Sequence, residues 1–500
     1  MKIQRISLIT PPYHSGVVES AGTWLNLGFV TIAGALRRAG YEVDYYDAMS
    51  HWHDWPEISA RLLAFAPDLV ATTAFTASIV DAVKLLELAK TINPQVITAL
   101  GNVHPTFCFE ELLATAGVID YIVRGEGEHT LVLLLACLQA GGDPKKVPGL
   151  AFREGGGVFA TPKAALIKDL DALTPAWDLV EWPLYTYRPQ AGSRLAIVSS
   201  SRGCRQHCSF CSQQLFWQRT WRARTPENFV AELELLHRVH GVTVAMVADE
   251  LPTLDRQRWE RILDLLIERQ VGVKLLMETR VDDILRDADI MEKYRRAGVE
   301  HIYVGVEAGS QALLNLFNKG TRVEHSKRAI ELINGADIVS ETSFVLGMPD
   351  ETPHSIAATV ELAKHYNPDM AFFLAIAPWP YADLYPVLKE HVVSHDYRRY
   401  NLVEPVVKPR AMEIQELERE LGGAARSFYL HKFSNLNQLS GWKQQFMIEV
   451  FRLLVNHSYL AGQMRAMGEE GGSMPPELRA IIQGQGLAPG KFGHPVAPIP

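Results

Sequence analysis

The chain has 500 residues, of which 47% are apolar, 21% charged and 9% aromatic. That length predicts about three domains, the apolar share is enough to give each a packed core, and the charged and aromatic fractions exclude a wholly disordered chain. With 49 Lys and Arg against 57 Asp and Glu, the net charge of −8 lacks the basic excess of a general nucleic-acid binder.

Residues 1–142 alternate strands and helices. Residues 3–9 form an apolar strand that runs into Thr10-Pro11-Pro12-Tyr13-His14, and a helical stretch follows to Ala39. Gly40 closes that helix, and strands follow at 41–47 and 68–75. A helix over 78–92 turns Val80, Val83, Leu86 and Leu88 toward its buried face, and strands at 95–101 and 121–124 complete the unit. The longest apolar run, 131–138, is far short of the roughly 20 residues of a membrane span and reads as a buried helix. The first seven residues show neither an apolar h-region nor a cleavage site, so a cytoplasmic protein without an integral membrane segment is expected. This alternation predicts a parallel sheet with helices on both faces and ligand loops at the carboxyl ends of its strands. Those loops contain His14, Thr76, His104 and Glu126.

Residues 143–194 read as a connector, in which Gly155-Gly156-Gly157 between two short apolar runs predicts a hairpin. Alternation then resumes, with strands at 195–199, 242–248, 273–277, 301–306, 341–346 and 370–376 and helices such as 227–237 and 259–268 between them. Over 195–409 these units predict a partial, six-stranded barrel rather than a complete eightfold one. Residues 410–500 read as helical, with a Gly- and Pro-rich tail from 484 that is expected to be flexible.

The five cysteines are too few, and odd in number, for a disulfide scaffold. Cys108 and Cys137 sit among apolar residues and read as buried small hydrophobes. The other three lie in Cys204-Arg205-Gln206-His207-Cys208-Ser209-Phe210-Cys211, on the loop that follows the first barrel strand. Three thiolates at this spacing can each hold a different iron of a cubane and leave the fourth iron without a protein ligand. The competing reading is a structural zinc ion, which needs four closed ligands. His207, turned away by a tight loop, is a poor fourth.

This CxxxCxxC spacing, with an aromatic residue before the last cysteine, resembles the radical S-adenosylmethionine (SAM) superfamily. The resemblance implies that Cys204, Cys208 and Cys211 hold a [4Fe-4S] cluster whose open iron binds SAM and cleaves it to a 5′-deoxyadenosyl radical. It implies Phe210 beside the adenine and Arg280 at the SAM carboxylate. Ala248-Asp249-Glu250 stands where the superfamily has Gly-Gly-Glu, so Glu250, with Asp249 as the alternative, would meet the methionine ammonium. Gly305-Val306-Glu307-Ala308-Gly309-Ser310 resembles the segment that approaches the ribose, with Glu307 as hydroxyl acceptor and Ser310 beside it.

The first unit is similar to the Rossmann-like, flavodoxin-type domain that binds cobalamin in front of one large radical SAM class. It departs from that domain's DxHxxG pattern, because Asp47 and His51 are four apart and no glycine follows. The departure implies base-off cobalamin without a histidine from that motif on cobalt. It leaves His14, Thr76, His104 and Glu126 as the loop candidates for cofactor contacts.

Tyr13-His14-Ser15-Gly16, Val103-His104-Pro105-Thr106-Phe107, Arg124-Gly125-Glu126-Gly127-Glu128, Pro378-Trp379-Pro380 and Tyr397-Arg398-Arg399-Tyr400-Asn401 narrow the resemblance. So does Cys211-Ser212-Gln213 with Phe216-Trp217. Together they resemble the anaerobic magnesium-protoporphyrin IX monomethyl ester oxidative cyclases of bacteriochlorophyll synthesis, although Gly101-Asn102 stands where a Gly-Gly pair is expected. This implies closure of the isocyclic ring of a tetrapyrrole, with oxygen from water and electrons from a ferredoxin or flavodoxin. A flat macrocycle needs a broad apolar slot, for which Phe216, Trp217, Phe372, Phe373, Trp379 and Tyr381 are candidates. A cobalamin-dependent radical SAM methylase shares every one of the cysteines and both front domains, and differs in forming S-adenosylhomocysteine. A non-catalytic tetrapyrrole sensor would not need the intact cysteine motif. Cys208→Ala is expected to abolish cluster assembly and SAM cleavage while leaving the fold and cobalamin binding intact. Iron content and cobalamin titration of the purified variant check this.

Overall fold

The structure, a computed structural model, describes residues 2–14 and 21–457. The tail expected from residue 484 lies outside the described residues. The described chain builds two large sheets, and both run parallel through their centres.

The first sheet contains β1 (Arg5–Ile9), β2 (Glu42–Tyr46), β3 (Leu69–Thr73), β4 (Ile97–Gly101) and β5 (Tyr121–Val123), all parallel. Its order, β2-β1-β3-β4-β5, reverses between β1 and β3. Such a switch point opens a crevice outside the carboxyl ends of the strands, where this class of fold binds ligands. β6 (Leu150–Glu154) and β7 (Gly157–Ala160) extend the sheet antiparallel from β5. This is the hairpin expected in the connector. Gly155 and Gly156 turn it with φ of +57° and +83°, the left-handed backbone that a two-residue turn requires.

The helix Ile79–Ile92 begins after a short turn at Thr76–Ser78 and buries Ile79, Ala82, Leu85, Leu86 and Ala89. Val80, expected on the inner face, is 41% exposed, and Val83 and Leu88 are only partly buried. The alanines carry the buried stripe, so bulky apolar residues alone gave the wrong phase. The helix Trp55–Phe65, between β2 and β3, starts with a capping box of Asp54 and Glu57. Cys108 and Cys137, expected to be buried, are partly exposed. Cys108 joins the short helices Val103–Phe107 and Phe109–Thr115, and Cys137 sits in the last turn of the helix Gly127–Gln139.

The second sheet runs β8 (Leu195–Val198), β11 (Val244–Val247), β12 (Lys274–Thr279), β13 (Val299–Glu307), β14 (Val339–Leu346) and β15 (Met370–Ala375) in spatial order. All six are parallel, and β8 and β15 stay unpaired at the two edges, which makes a partial barrel. A two-stranded ribbon, β9 (Ser201–Arg202) with β10 (Arg222–Ala223), stands at the carboxyl end of β8. The helix Ile414–Ser434 covers β15, where Phe373 lies between Phe344 and Phe428. Phe373 is therefore core packing and no wall of a ligand slot. Buried Asp369 anchors the C-terminal helices through Lys443 at 2.5 Å and Lys432 at 4.0 Å.

The connector packs on the first unit through the helix Leu27–Arg38, where the Ala176 amide donates to Val30 O at 2.9 Å. A Cβ on Gly34 of this helix would fall 1.9 Å from Thr174 O. Gly34→Ala is expected to lower stability by about 1–3 kcal/mol through forced separation of these segments, read as an earlier urea midpoint.

Candidate active site

The cysteine loop leaves the β9 strand through Gly203, whose φ of +92° suits glycine. A Cβ there would sit 2.3 Å from Thr220 O, so the loop and the β10 arm approach closely only because Gly203 has no side chain. Backbone bonds then hold the loop to the turn near Phe317. The Ser209 amide donates to Phe317 O at 2.8 Å, and the Asn318 side chain donates to His207 O at 3.0 Å. The Gln214 side chain donates to Cys208 O at 3.1 Å, and the Leu384 amide to Ser209 O at 2.8 Å.

Donors also face the sulfurs. The Gln206 amide lies 3.5 Å from Cys204 Sγ, and Arg280 Nη1 lies 3.7 Å from Cys208 Sγ. The Gln206 amide and the Arg280 charge both favour the Cys204 thiolate. Burial raises the Cys204 thiol and pushes Cys211 up to about 11, so loading a metal must displace protons. Among the described residues no three His, Cys, Asp or Glu side chains converge on one ion position. His207 is exposed to solvent. A closed zinc site does not fit this loop, whereas a cluster that offers each sulfur a different iron does.

Carboxylates and cations surround the loop. Asp249 is fully buried and accepts from the Ser200 amide at 2.8 Å and from the Ser200 and Ser201 hydroxyls at 2.6 and 2.7 Å. Its oxygens hold the end of β8, which removes it as an alternative to Glu250. Glu250 accepts from the Gly203 amide at 2.9 Å and from the Trp217 indole. Burial raises its carboxyl above the usual range. Glu307, in the left-handed region with φ of +67°, pairs with Lys319 at 2.6 Å and accepts from Ser343 at 3.2 Å. A Cβ on Gly305 would lie 2.1 Å from Glu307 Oε1, so this glycine makes room for the ion pair. Ser310 is exposed, and its hydroxyl caps the helix Gln311–Leu316 by accepting from the Leu313 amide at 3.2 Å. Phe210 packs edge-on against Phe317, with ring centres 5.1 Å apart.

A cavity of about 510 Å³ lies between the two sheets. The carboxyl ends of β3, β4 and β5 form one side through Thr73, Gly101 and Val123, and Ser199, Ala248 and Glu250 of the barrel form the other. Phe216 and Trp217 close it toward the cysteine loop. Phe372, Trp379 and Tyr381 are not among its lining residues. Tyr381 instead stacks on Phe107 and shares a hydrogen bond with Thr76 at 2.8 Å.

His14, Thr76 and His104, expected to contact a cofactor, likewise stay off the lining. His14 stacks on Trp52 at 3.8 Å. His104 is fully buried, shares a hydrogen bond with Thr76 Oγ1 at 3.2 Å, and is pushed down to about 4 by burial. Asp47 accepts from Thr10 and Tyr185 at 2.8 Å each, and His51 pairs with Glu181 at 3.3 Å. The residues that replace the expected DxHxxG motif are thus bound within the chain, and no histidine lines the cavity. A crevice at the switch point with this lining would fit a corrinoid, and no lining residue could supply an imidazole to it.

Glu126 lines the cavity and joins the two units. It pairs with Arg202 at 2.7 Å and Arg222 at 2.9 Å and accepts from the Ile167 amide at 2.7 Å. Glu128 pairs with Arg202 at 2.6 Å, and the Trp217 ring lies 6.0 and 5.7 Å from the two guanidinium carbons. Sequence reasoning missed Arg202, Arg222 and Lys319. The signal for the first was the Ser-Arg-Gly step into Cys204 together with two acids in the Gly-Glu-Gly-Glu loop.

Known proteins share this pair of domains. The model of the B12 binding domain matches residues 13–135, and the model of the radical SAM superfamily matches residues 198–363. The anaerobic magnesium-protoporphyrin IX monomethyl ester cyclase of Rubrivivax gelatinosus is 39% identical over 433 residues, 86% of this chain and 78% of that protein. The enzyme of the same name from Cereibacter sphaeroides is 39% identical over 435 residues, 86% and 71% of the two chains. The cobalamin-dependent S-adenosylmethionine radical enzyme OxsB, solved with aqua-cobalamin and S-adenosylmethionine, superposes with a TM-score of 0.70 at 18% identity. That match covers 94% of this chain and 75% of that one, and it supports the fold.

Glu126→Gln leaves two arginines facing a neutral amide in a buried setting. It is expected to cost about 3–5 kcal/mol, seen as a lowered denaturation midpoint, with a smaller loss for Glu128→Gln, which releases only one ion pair.

Proposed function

This chain belongs to the anaerobic magnesium-protoporphyrin IX monomethyl ester cyclase family, and from that premise we propose that it closes the isocyclic ring of a magnesium porphyrin. The product is divinyl protochlorophyllide, and the added oxygen comes from water. The observation that carries the reading is a cavity whose one wall is the sheet of the B12-binding domain and whose other wall is the support of the cysteine loop.

Residues 1–142 would hold cobalamin, residues 195–409 the cluster and SAM, and the helical segment from 410 would brace the barrel. Cys204, Cys208 and Cys211 are the proposed cluster ligands. When bound, the cluster and SAM supply a 5′-deoxyadenosyl radical, able to take hydrogen from a carbon that no side-chain base can deprotonate. The protein's share is geometric. Arg280, 3.7 Å from Cys208 Sγ, adds positive charge beside the cluster loop and is aimed to receive a carboxylate. Phe210, packed on Phe317, offers an aromatic face to the adenine. Trp217 and Phe216 present apolar surface to a flat macrocycle and keep bulk water from the reacting carbon. The Glu307–Lys319 pair holds the end of β13 in its left-handed turn.

Electrons would come from a low-potential donor of the ferredoxin or flavodoxin type. Among the described residues no helix is long and apolar enough to cross a membrane, in keeping with a cytoplasmic enzyme. The test is an anaerobic assay of reconstituted protein with cobalamin, SAM, a reductant and magnesium-protoporphyrin monomethyl ester. Protochlorophyllide and 5′-deoxyadenosine without S-adenosylhomocysteine are expected. A methylated porphyrin with S-adenosylhomocysteine would make the protein a methylase.

A further inference from the structure

The short helix Gln213–Phe216 follows directly on the cysteine loop and is capped by Trp217. Gln213, Phe216 and Trp217 stand at positions i, i+3 and i+4, so they share one face, and all three line the cavity. Gln214 is turned away from the cavity and held, since its side chain donates to Cys208 O at 3.1 Å and to Asp383 at 2.9 Å. The backbone amides of Gln213 and Gln214 point at Cys211 Sγ. Two residues of chain span at most about 7 Å, so the Gln213 side chain leaves the backbone close beside the third cysteine.

The other polar side chains on the cavity wall are engaged within the protein. Asn102 donates to Thr73 at 2.9 Å and accepts from the Val103 amide at 2.7 Å. Arg202 pairs with Glu126 and Glu128, and Glu250 accepts from Gly203 and Trp217. Gln213 differs. Among the described residues its side-chain amide makes no hydrogen bond, although the residue is partly buried. The rings of Phe216 and Trp217 stand edge-on to each other on the same face, with centres 4.8 Å apart. An amide drawn out of water without a partner weakens a fold unless a ligand meets it.

A magnesium porphyrin makes two demands on such a wall. Its ring needs apolar faces, which Phe216 and Trp217 supply. Its magnesium is held by four nitrogens in the plane, keeps its axial positions open and prefers hard oxygen donors. No histidine lines the cavity, and the carboxylates there are already bonded. The carbonyl oxygen of Gln213 is the donor that is left. Apolar rings alone would let a flat disc slide, whereas a bond to its central atom fixes its centre.

We propose that Gln213 supplies the axial oxygen ligand to the magnesium of the tetrapyrrole substrate and so fixes the macrocycle beside the cysteine loop. The assignment rests on the cyclase reading above.

Absorption titration of the full chain, loaded with its cluster and cobalamin, tests it with two porphyrins that differ only at the ring centre. These are magnesium-protoporphyrin monomethyl ester and metal-free protoporphyrin monomethyl ester. Wild-type protein is expected to bind the magnesium form about 10- to 100-fold more tightly, the range of one bond to a charged group. Gln213→Leu, which keeps the bulk without the oxygen, is expected to bind both forms alike, with the metal-free form within about twofold of wild type. Gln213→Glu restores an oxygen donor and should keep the magnesium preference. If Gln213→Leu does not assemble its cluster, Gln213→Ser, too short to reach the metal, carries the same comparison. A magnesium preference that survives the loss of the oxygen overturns the assignment. So does an equal loss of both porphyrins, or wild-type protein that binds the two alike. A variant that loses cobalamin also overturns it, because the amide would then serve the corrinoid. Wild-type protein that binds neither porphyrin would instead overturn the cyclase reading itself.

Discussion

Two glutamates and two arginines fix the relation on which the remaining architecture depends. Glu126 and Glu128 come from the N-cap and first turn of the helix Gly127–Gln139 that follows β5, at the carboxyl edge of the first sheet, and Arg202 and Arg222 come from the ribbon at the mouth of the barrel. All four are largely removed from water. Buried charges of this kind add little net stability compared with apolar packing, but they are intolerant of mispairing. Their effect is therefore to permit one docking of the two units. In that docking the carboxyl ends of both parallel sheets face one another, and the cavity between them is the space that remains.

The same ribbon leads into the cysteine loop, so the constraint is transmitted within a few residues. Arg202 is followed by Gly203, whose amide is held by Glu250, and then by Cys204. Trp217 lies over both arginines, bonds Glu250 and lines the cavity. One rigid patch thus carries the interdomain ion cluster, the entry to the cluster loop and the wall shared with the first sheet. For radical chemistry this rigidity has a purpose. A reactive carbon species needs its target within contact distance and water kept away, which fixed walls provide and mobile loops do not.

Much of this was legible in the sequence, though unevenly. Strand and helix alternation gave both parallel sheets, because buried parallel strands are nearly continuous apolar runs. The cysteine spacing marked the loop after β9 as the candidate site, because three of the five cysteines fall within eight residues of one another. Residues whose partners are distant were harder to read. Arg202 finds Glu126 across 76 positions and Glu307 finds Lys319 across 12, so the pairing in each case depends on the tertiary fold. His14 and His104 sat in the right loops, yet aromatic stacking and a bond to Thr76 occupy them. A loop position supplies the neighbourhood of a ligand and not the direction of a side chain. The phase of the helix Ile79–Ile92 was misjudged for a related reason, since its stripe is completed by Ala82 and Ala89.

The central claim is that one cavity brings the corrinoid against the wall that supports the iron–sulfur loop. Electron paramagnetic resonance of the anaerobic protein, loaded with cob(II)alamin and with its cluster reduced by one electron, tests that claim directly. The account predicts that each paramagnet broadens and splits the signal of the other through space. Two signals that superimpose on those of protein loaded with either cofactor alone would contradict it, because the two cofactors would then occupy separate sites.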